Sequence, residues 1–196
     1  MEILKRLMII IFVLLTSSCG LFEPRNDQEP ENPAEWISYP INREQVLQNL
    51  IFSYKYPENQ NNYDQIFTDD FIFNFASQDV PEHGTPVDLN YQEEASIIFN
   101  MHKILGDFDQ KIVIDTLVAI EGQDDIVDSS SATLYRNYYL KITKIDSETE
   151  IKSYQGKAEF YLIQDNETSL WKIESWKDYR TNSNQTWGLL KNDYLY

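Results

Sequence analysis

The chain has a single cysteine, Cys19, two histidines, His83 and His102, and six glycines in 196 residues. One thiol forms no intramolecular disulfide, so the core alone must hold the fold. Two histidines nineteen positions apart, with no second cysteine and no clustered acids, give no metal-ligand spacing. The sparse glycines form neither a phosphate-cradling loop nor a Gly-x-Ser-x-Gly elbow, so no cofactor is expected. Basic residues are scarce as well, 16 against 32 acidic. Such a charge repels nucleic acid, which is excluded as a partner. The longest apolar run, Leu7–Leu15, covers about 14 Å as a helix, against the roughly 30 Å of a bilayer core.

That run is nonetheless the most informative segment. Lys5 and Arg6 precede it, and Thr16-Ser17-Ser18 lead from it into Cys19. A basic n-region, a short apolar h-region and small residues before the cut are the parts of a secretory signal. The lone cysteine at the cleavage position resembles a bacterial lipoprotein signal, in which that residue is lipidated and becomes the first of the mature chain. The resemblance implies a signal peptide over residues 1–18 and a membrane held through the N-terminal lipid. With Gly20 rather than aspartate after Cys19, it also implies the outer membrane or the periplasmic face of the envelope. Without residues 1–18 the chain has 14 basic and 31 acidic side chains, a net of −17. Gly20–Glu35, with three prolines and few apolar groups, reads as an extended tether, so lipidated cysteine and tether occupy 19–35.

Residues 36–196 read as one domain. Asn42 with Gln45 is a capping-box pattern, followed by Val46, Leu47, Leu50, Ile51 and Tyr54 at helical spacing. Pro57 and Asn59–Asn62 end that helix. A short helix around Tyr63–Phe67 then leads through Asp69-Asp70, read as turn chemistry, into a strand at Phe71–Phe75. A loop with Pro81, Gly84 and Pro86 follows. Asn90 with Glu93 opens another helix, its stripe read as Tyr91, Ala95, Ile98, His102 and Leu105, with Gly106 just past its end. The period then drops to two: Ile112–Ile120, Ala132–Ile145, Ile151–Gln164 and Leu170–Tyr179 alternate as four long strands. Helices first and a strand meander afterwards predict an α+β domain. Asn166-Glu167-Thr168 matches a glycosylation acceptor but sits where a hairpin turn is expected.

The first helix, Tyr63-Asp64-Gln65-Ile66-Phe67-Thr68-Asp69-Asp70-Phe71 and the last strand Trp171–Asp178 resemble the nuclear transport factor 2-like superfamily over about Ile41–Tyr179. The resemblance implies a strongly curved antiparallel sheet wrapped around N-terminal helices, forming a cone. Sheet-mediated homodimers are an option it carries, and Trp187 and Leu190 are expected to pack back on the domain. It does not settle function. Enzymes on such a cone use a desolvated Asp or His base facing a hydrogen-bond donor, for which Tyr54, Asp70 and His102 are the catalytic candidates. Arg136 alternates in phase with Leu134, Tyr138, Leu140 and Ile142. If that face lines the cone, Arg136, Tyr138 and Trp176 are the ligand-binding candidates, with the opposite reading that Arg136 reaches solvent or neutralises Asp70. Two functions are expected from this pattern. The first is a lipid-anchored, non-catalytic cone domain that engages an envelope protein or a small apolar ligand. The alternative is an isomerase- or cyclase-like enzyme.

Overall fold

The computed structural model describes residues 34–181 and 185–195. The signal peptide, Cys19 and nearly all of the tether lie outside the described residues.

Helix α1 (Arg43–Lys55) starts where Asn42 accepts a hydrogen bond from Gln45 N at 3.0 Å. The reciprocal half is displaced by one residue: the Gln45 carboxamide oxygen takes Ile41 N at 2.8 Å, not Asn42 N. Glu44 in the first turn and Lys55 in the last complement the helix dipole. Pro57 forces its neighbour Tyr56 into an extended conformation and the helix ends there. The buried side carries Val46, Leu47, Leu50 and Tyr54, and also Asn49, whose carboxamide bonds both Ile37 N and Ile37 O. Glu35, expected in the tether, is already bound to the domain: it accepts from the Tyr56 hydroxyl at 2.7 Å, and its carbonyl accepts from Asn59.

Two 3₁₀ turns, Pro57–Asn61 and Tyr63–Ile66, lead into strand β1 (Phe67–Asn74). This strand begins four residues earlier than Phe71, so Asp69 and Asp70 are strand residues and not a turn. Helix α2 (Asp79–His83) forms where a plain loop was expected, closed by Gly84 at φ 70°. Strand β2 (Asp88–Asn90) then pairs with β1, and helix α3 (Tyr91–Asp107) opens with the full Asn90/Glu93 capping box. Its buried residues are Glu94, Ile97, Ile98, Met101 and Leu105. Gly106 lies inside the last turn, and the left-handed residue that follows is Asp109.

The four long strands fall where the alternation placed them: β3 (Gln110–Ala119), β5 (Ser131–Lys144), β6 (Glu150–Gln164) and β7 (Trp171–Tyr179), with a two-residue β4 (Ile126–Val127) on β5. The sheet order is β2-β1-β7-β6-β5-β3, antiparallel except for the parallel β1–β7 pair. Register shifts at Asp115 in β3, Ile151 in β6 and Glu174 in β7 are bulges, and bulges bend a sheet. The strongly curled sheet wraps α1 and α3, the latter packing on β1 and β3. Its inner face is lined from β5 by Leu134, Tyr138 and Leu140, and from β6 by Tyr154, Ala158, Phe160 and Leu162, all buried. Gly156 lies in that row because a Cβ there would stand 2.4 Å from the Tyr138 hydroxyl and 2.6 Å from Tyr179 O. Asp165 closes the β6–β7 hairpin by accepting from Glu167 N and Thr168 N, so Asn166–Thr168 is turn structure.

Candidate functional site

The interior of the cone is occupied by the chain itself. After β7 the backbone returns and forms helix α4 (Trp187–Asn192), capped by Thr186, whose hydroxyl oxygen accepts from Leu189 N at 3.1 Å. Trp187 is fully buried among Tyr54, Tyr138 and Trp176, with ring centroids 5.4, 5.0 and 4.3 Å away and steep, edge-on interplanar angles. Its indole N–H donates to the Tyr54 hydroxyl at 2.7 Å and its backbone N–H to the Tyr138 hydroxyl at 2.8 Å. Tyr138 in turn donates to Asp178 Oδ1 at 2.7 Å, and Asp178 Oδ2 receives Gly188 N at 2.6 Å. Glycine is required at 188: a Cβ there would lie 2.8 Å from Phe75 Cδ1 and 3.2 Å from Asp178 Oδ2.

One turn further on, Lys191 is buried whole. Its ammonium pairs with Glu94 and sits 4.0 Å from the Phe73 ring centroid and 3.7 Å from that of Trp176, an aromatic enclosure for a cation. Tyr63 also donates to Glu94 Oε1, at 2.5 Å, while Glu94 Oε2 is buried without a hydrogen-bond partner, as is Trp176 Nε1. A third polar group sits at the start of α4, where Asp79 accepts from the Thr186 hydroxyl at 2.5 Å and pairs with Arg180.

Burial governs the protonation of these groups. It pushes the Asp178 carboxyl up to about 6, against the Gly188 N–H and Tyr138 O–H that favour the carboxylate. It pulls Lys191 down to about 8, against the attraction of Glu94 and Asp178. The Tyr54, Tyr63 and Tyr138 hydroxyls rise well above the usual phenol range, first through burial and then through the nearby carboxylates. They are hydrogen-bonding hydroxyls, never phenolates.

The three residues proposed for acid–base chemistry do not meet. Tyr54 is buried and taken up by Trp187. Asp70 is exposed on β1, outside the interior, with Asp69 exposed beside it. His102 is half-buried on α3, its Nε2 2.7 Å from Ser53 O on α1, and burial lowers its pKa below the ordinary 6.5. His83 is exposed at the end of α2. Among the described residues no cluster of three or more His, Cys, Asp or Glu side chains is arranged to hold a metal ion.

The three ligand-binding candidates do face inward, but each has an internal partner. Arg136 neither reaches solvent nor meets Asp70: it holds Asp125 at 2.8 and 2.9 Å and Glu44 at 2.9 Å. Tyr138 bridges Asp178 and Trp187, and Trp176 is enclosed by Phe73, Phe160, Trp187 and Lys191, with its ring contacts edge-on or tilted. Glu94, Asp178 and Lys191 were not among the sequence candidates. Their signals were present: Glu94 stands three residues before Ile97 on the apolar stripe, Asp178 follows Trp176 at strand spacing, and Lys191 follows Trp187 at i, i+4.

Two open clefts lie at the surface. One cleft of about 280 Å³ runs between the segment at Trp36–Pro40 and the β6–β7 turn, and a groove of about 490 Å³ lies beside Tyr135, Lys157 and Tyr179.

No protein-family model matches the chain, and no curated protein matches it. Solved structures do resemble it. A conserved protein from Planctomyces limnophilus is 12% identical with a TM-score of 0.51, over 69% of this chain and 91% of that one. A protein from Kribbella flavida is 14% identical with a TM-score of 0.50, over 76% and 93%. An NTF2-like protein with a cystatin-like fold from Novosphingobium aromaticivorans is 11% identical with a TM-score of 0.48, over 72% and 83%. At these identities the likeness is one of fold. With helices leading, a bulged antiparallel meander curled around them and the interior facing α1, the chain folds as an α+β cone, and that fold is what it shares with the proteins from Planctomyces limnophilus and Kribbella flavida.

Proposed function

We propose that the chain is a lipid-anchored protein of a bacterial envelope whose cone domain is a binding module that performs no catalysis. One observation carries the second half of this reading: Trp187 and Lys191 fill the space in which a substrate would meet an acid and a base. Asp70 faces away from that space and His102 is bound to the α1 backbone, so nothing favours the isomerase- or cyclase-like alternative built on them. The same filling argues for a protein partner over a small apolar ligand, since Trp187 and Lys191 stand where such a ligand would enter. The anchoring half rests on Lys5-Arg6, the apolar run and Cys19.

Metabolic labelling with a palmitate analogue in a bacterial host tests the anchor. The wild-type chain is expected to take the label and fractionate with membranes, and Cys19→Ser to lose both properties. Label on the Cys19→Ser variant, or none on the wild type, overturns it. Native mass spectrometry of the gently purified protein tests the filled interior: the mass of the polypeptide and its lipid alone is expected, and a reproducible additional small molecule contradicts it.

A further inference from the structure

Helix α4 has the form of a docked ligand. Its two anchors, Trp187 and Lys191, are four residues apart on one helical face, and each enters a receptor of matching chemistry. The indole enters a box of Tyr54, Tyr138 and Trp176 with a hydroxyl waiting for its N–H. The ammonium enters an enclosure of Phe73 and Trp176 closed by the Glu94 carboxylate. Gly188, Leu189 and Leu190 between the two anchors are buried as well, so the short helix is enclosed as a helical segment is when a groove takes it from another molecule, here within one chain.

The receptor also offers more than its occupant uses. Glu94 Oε2 is buried without a hydrogen-bond partner. A lysine ammonium is a point donor, whereas a guanidinium presents a fork that takes both oxygens of a carboxylate. The acidic residues around the helix add to this selectivity: Asp178 stands at its N-terminal turn and Glu94 near its C-terminal end, so the interior favours a cationic segment. Nor does the occupant hold itself together, because a six-residue helix has no stability of its own in water. A buried ion pair gains little over its separated, solvated ions. What favours the tail is its covalent attachment, equivalent to an effective concentration on the order of millimolar.

We propose that the cone interior is a docking site for a short helical segment of a protein partner, presenting an aromatic side chain and an arginine or lysine four residues later, and that residues 187–192 hold the site as an intramolecular occupant. This rests on the reading of the domain as a binding module. It does not depend on the lipid anchor, whose failure would show in the labelling experiment and not here.

The first test uses the unmodified chain. In amide hydrogen exchange, the amides of residues 188–191 are expected to exchange at least tenfold faster than those at the centres of β5 and β6, through opening of the tail alone. Exchange of both sets at one common rate makes α4 a permanent core element and overturns the proposal. The second test uses the full chain with Trp187→Ala and Lys191→Ala, and as probe a dye-labelled peptide of residues 185–195 carrying Lys191→Arg. The peptide is expected to bind this variant at least tenfold more tightly than it binds the wild type. It should also bind at least tenfold more tightly than a peptide that carries Trp187→Ala as well. A folded variant that ignores the peptide overturns the proposal. So does saturation of the site by tryptamine at equal affinity, which would make the occupant a small aryl amine. A wild-type dimer with exchanged tails, seen by light scattering and mixed-isotope mass spectrometry, would make it a second copy and also overturns the proposal.

Discussion

Lys191, fully buried, holds its ammonium 3.7 Å from the ring centroid of Trp176 and paired with the carboxylate of Glu94. The two residues lie fifteen positions apart, one on the last strand and the other at the end of the last helix. They make the interior of this cone an electrostatic site as well as an apolar one.

Removing one side of that pair should cost more than removing both. Lys191→Met keeps the stem and deletes the charge, leaving Glu94 buried beside Tyr63 alone. A loss of about 3–5 kcal/mol is expected in urea unfolding. Lys191→Met combined with Glu94→Leu is expected to recover most of it, and a double variant as unstable as the single one would refute the account.

Asp178 sets a pH dependence with a definite sign. Its carboxyl titrates near 3.8 when unfolded and is raised to about 6 in the fold. The folded state therefore binds the proton more tightly, and stability from this group is fully present below about pH 4 and lost as pH rises to about 6. The amount is up to about 3 kcal/mol. Other carboxylates titrate too, so the quantity to measure is wild type minus Asp178→Asn. That difference in urea midpoint is expected to shrink between pH 4 and 6; one that stays constant or grows contradicts the assignment.

Gly156→Ala is expected to destabilise by about 1–3 kcal/mol or more. The new methyl group meets the Tyr138 hydroxyl and the immovable Tyr179 carbonyl. Adding Tyr138→Phe relieves only the first of these, so the pair should recover part of the loss at most. Thermal melts of the two variants decide the point.

His102 is expected to titrate below 6.5 in a proton NMR titration, because its half-buried ring loses solvation when charged. Its folded pKa being lowered, the histidine contributes stability that is present above pH 6.5 and declines as pH falls through its titration. Titration above 6.5 would mean that a carboxylate partner governs the ring.

The strands were legible because period-two alternation is local: β5 and β6 match their expected spans to within a residue or two at each end. The bulge in β7 was legible for the same reason, since Trp171, Ile173 and Trp176 break step. The short α2, β2 and β4 carry too few residues for any period to show. Asp70 was misplaced because an Asp-Asp pair reads as a turn, whereas here it lies in the irregular stretch of β1 between Phe67 and Ile72. The site was the least legible part. That Trp187 and Leu190 would pack could be read from their type; Lys191 shares the Trp187 face at i, i+4, but what would neutralise it inside could not be read. A lysine is buried only when something distant neutralises it, and Glu94 is 97 positions away.

The parallel pairing of β1 with β7 lays the earliest strand of the sheet against the latest. Between them the chain must first be made and threaded through the whole meander, and the interior is complete only when residue 191 arrives. During vectorial synthesis the edge of β1 away from β2 lacks its strand partner until β7 is made. The sheet is therefore joined in one late step, and α4 enters the interior of a sheet already joined.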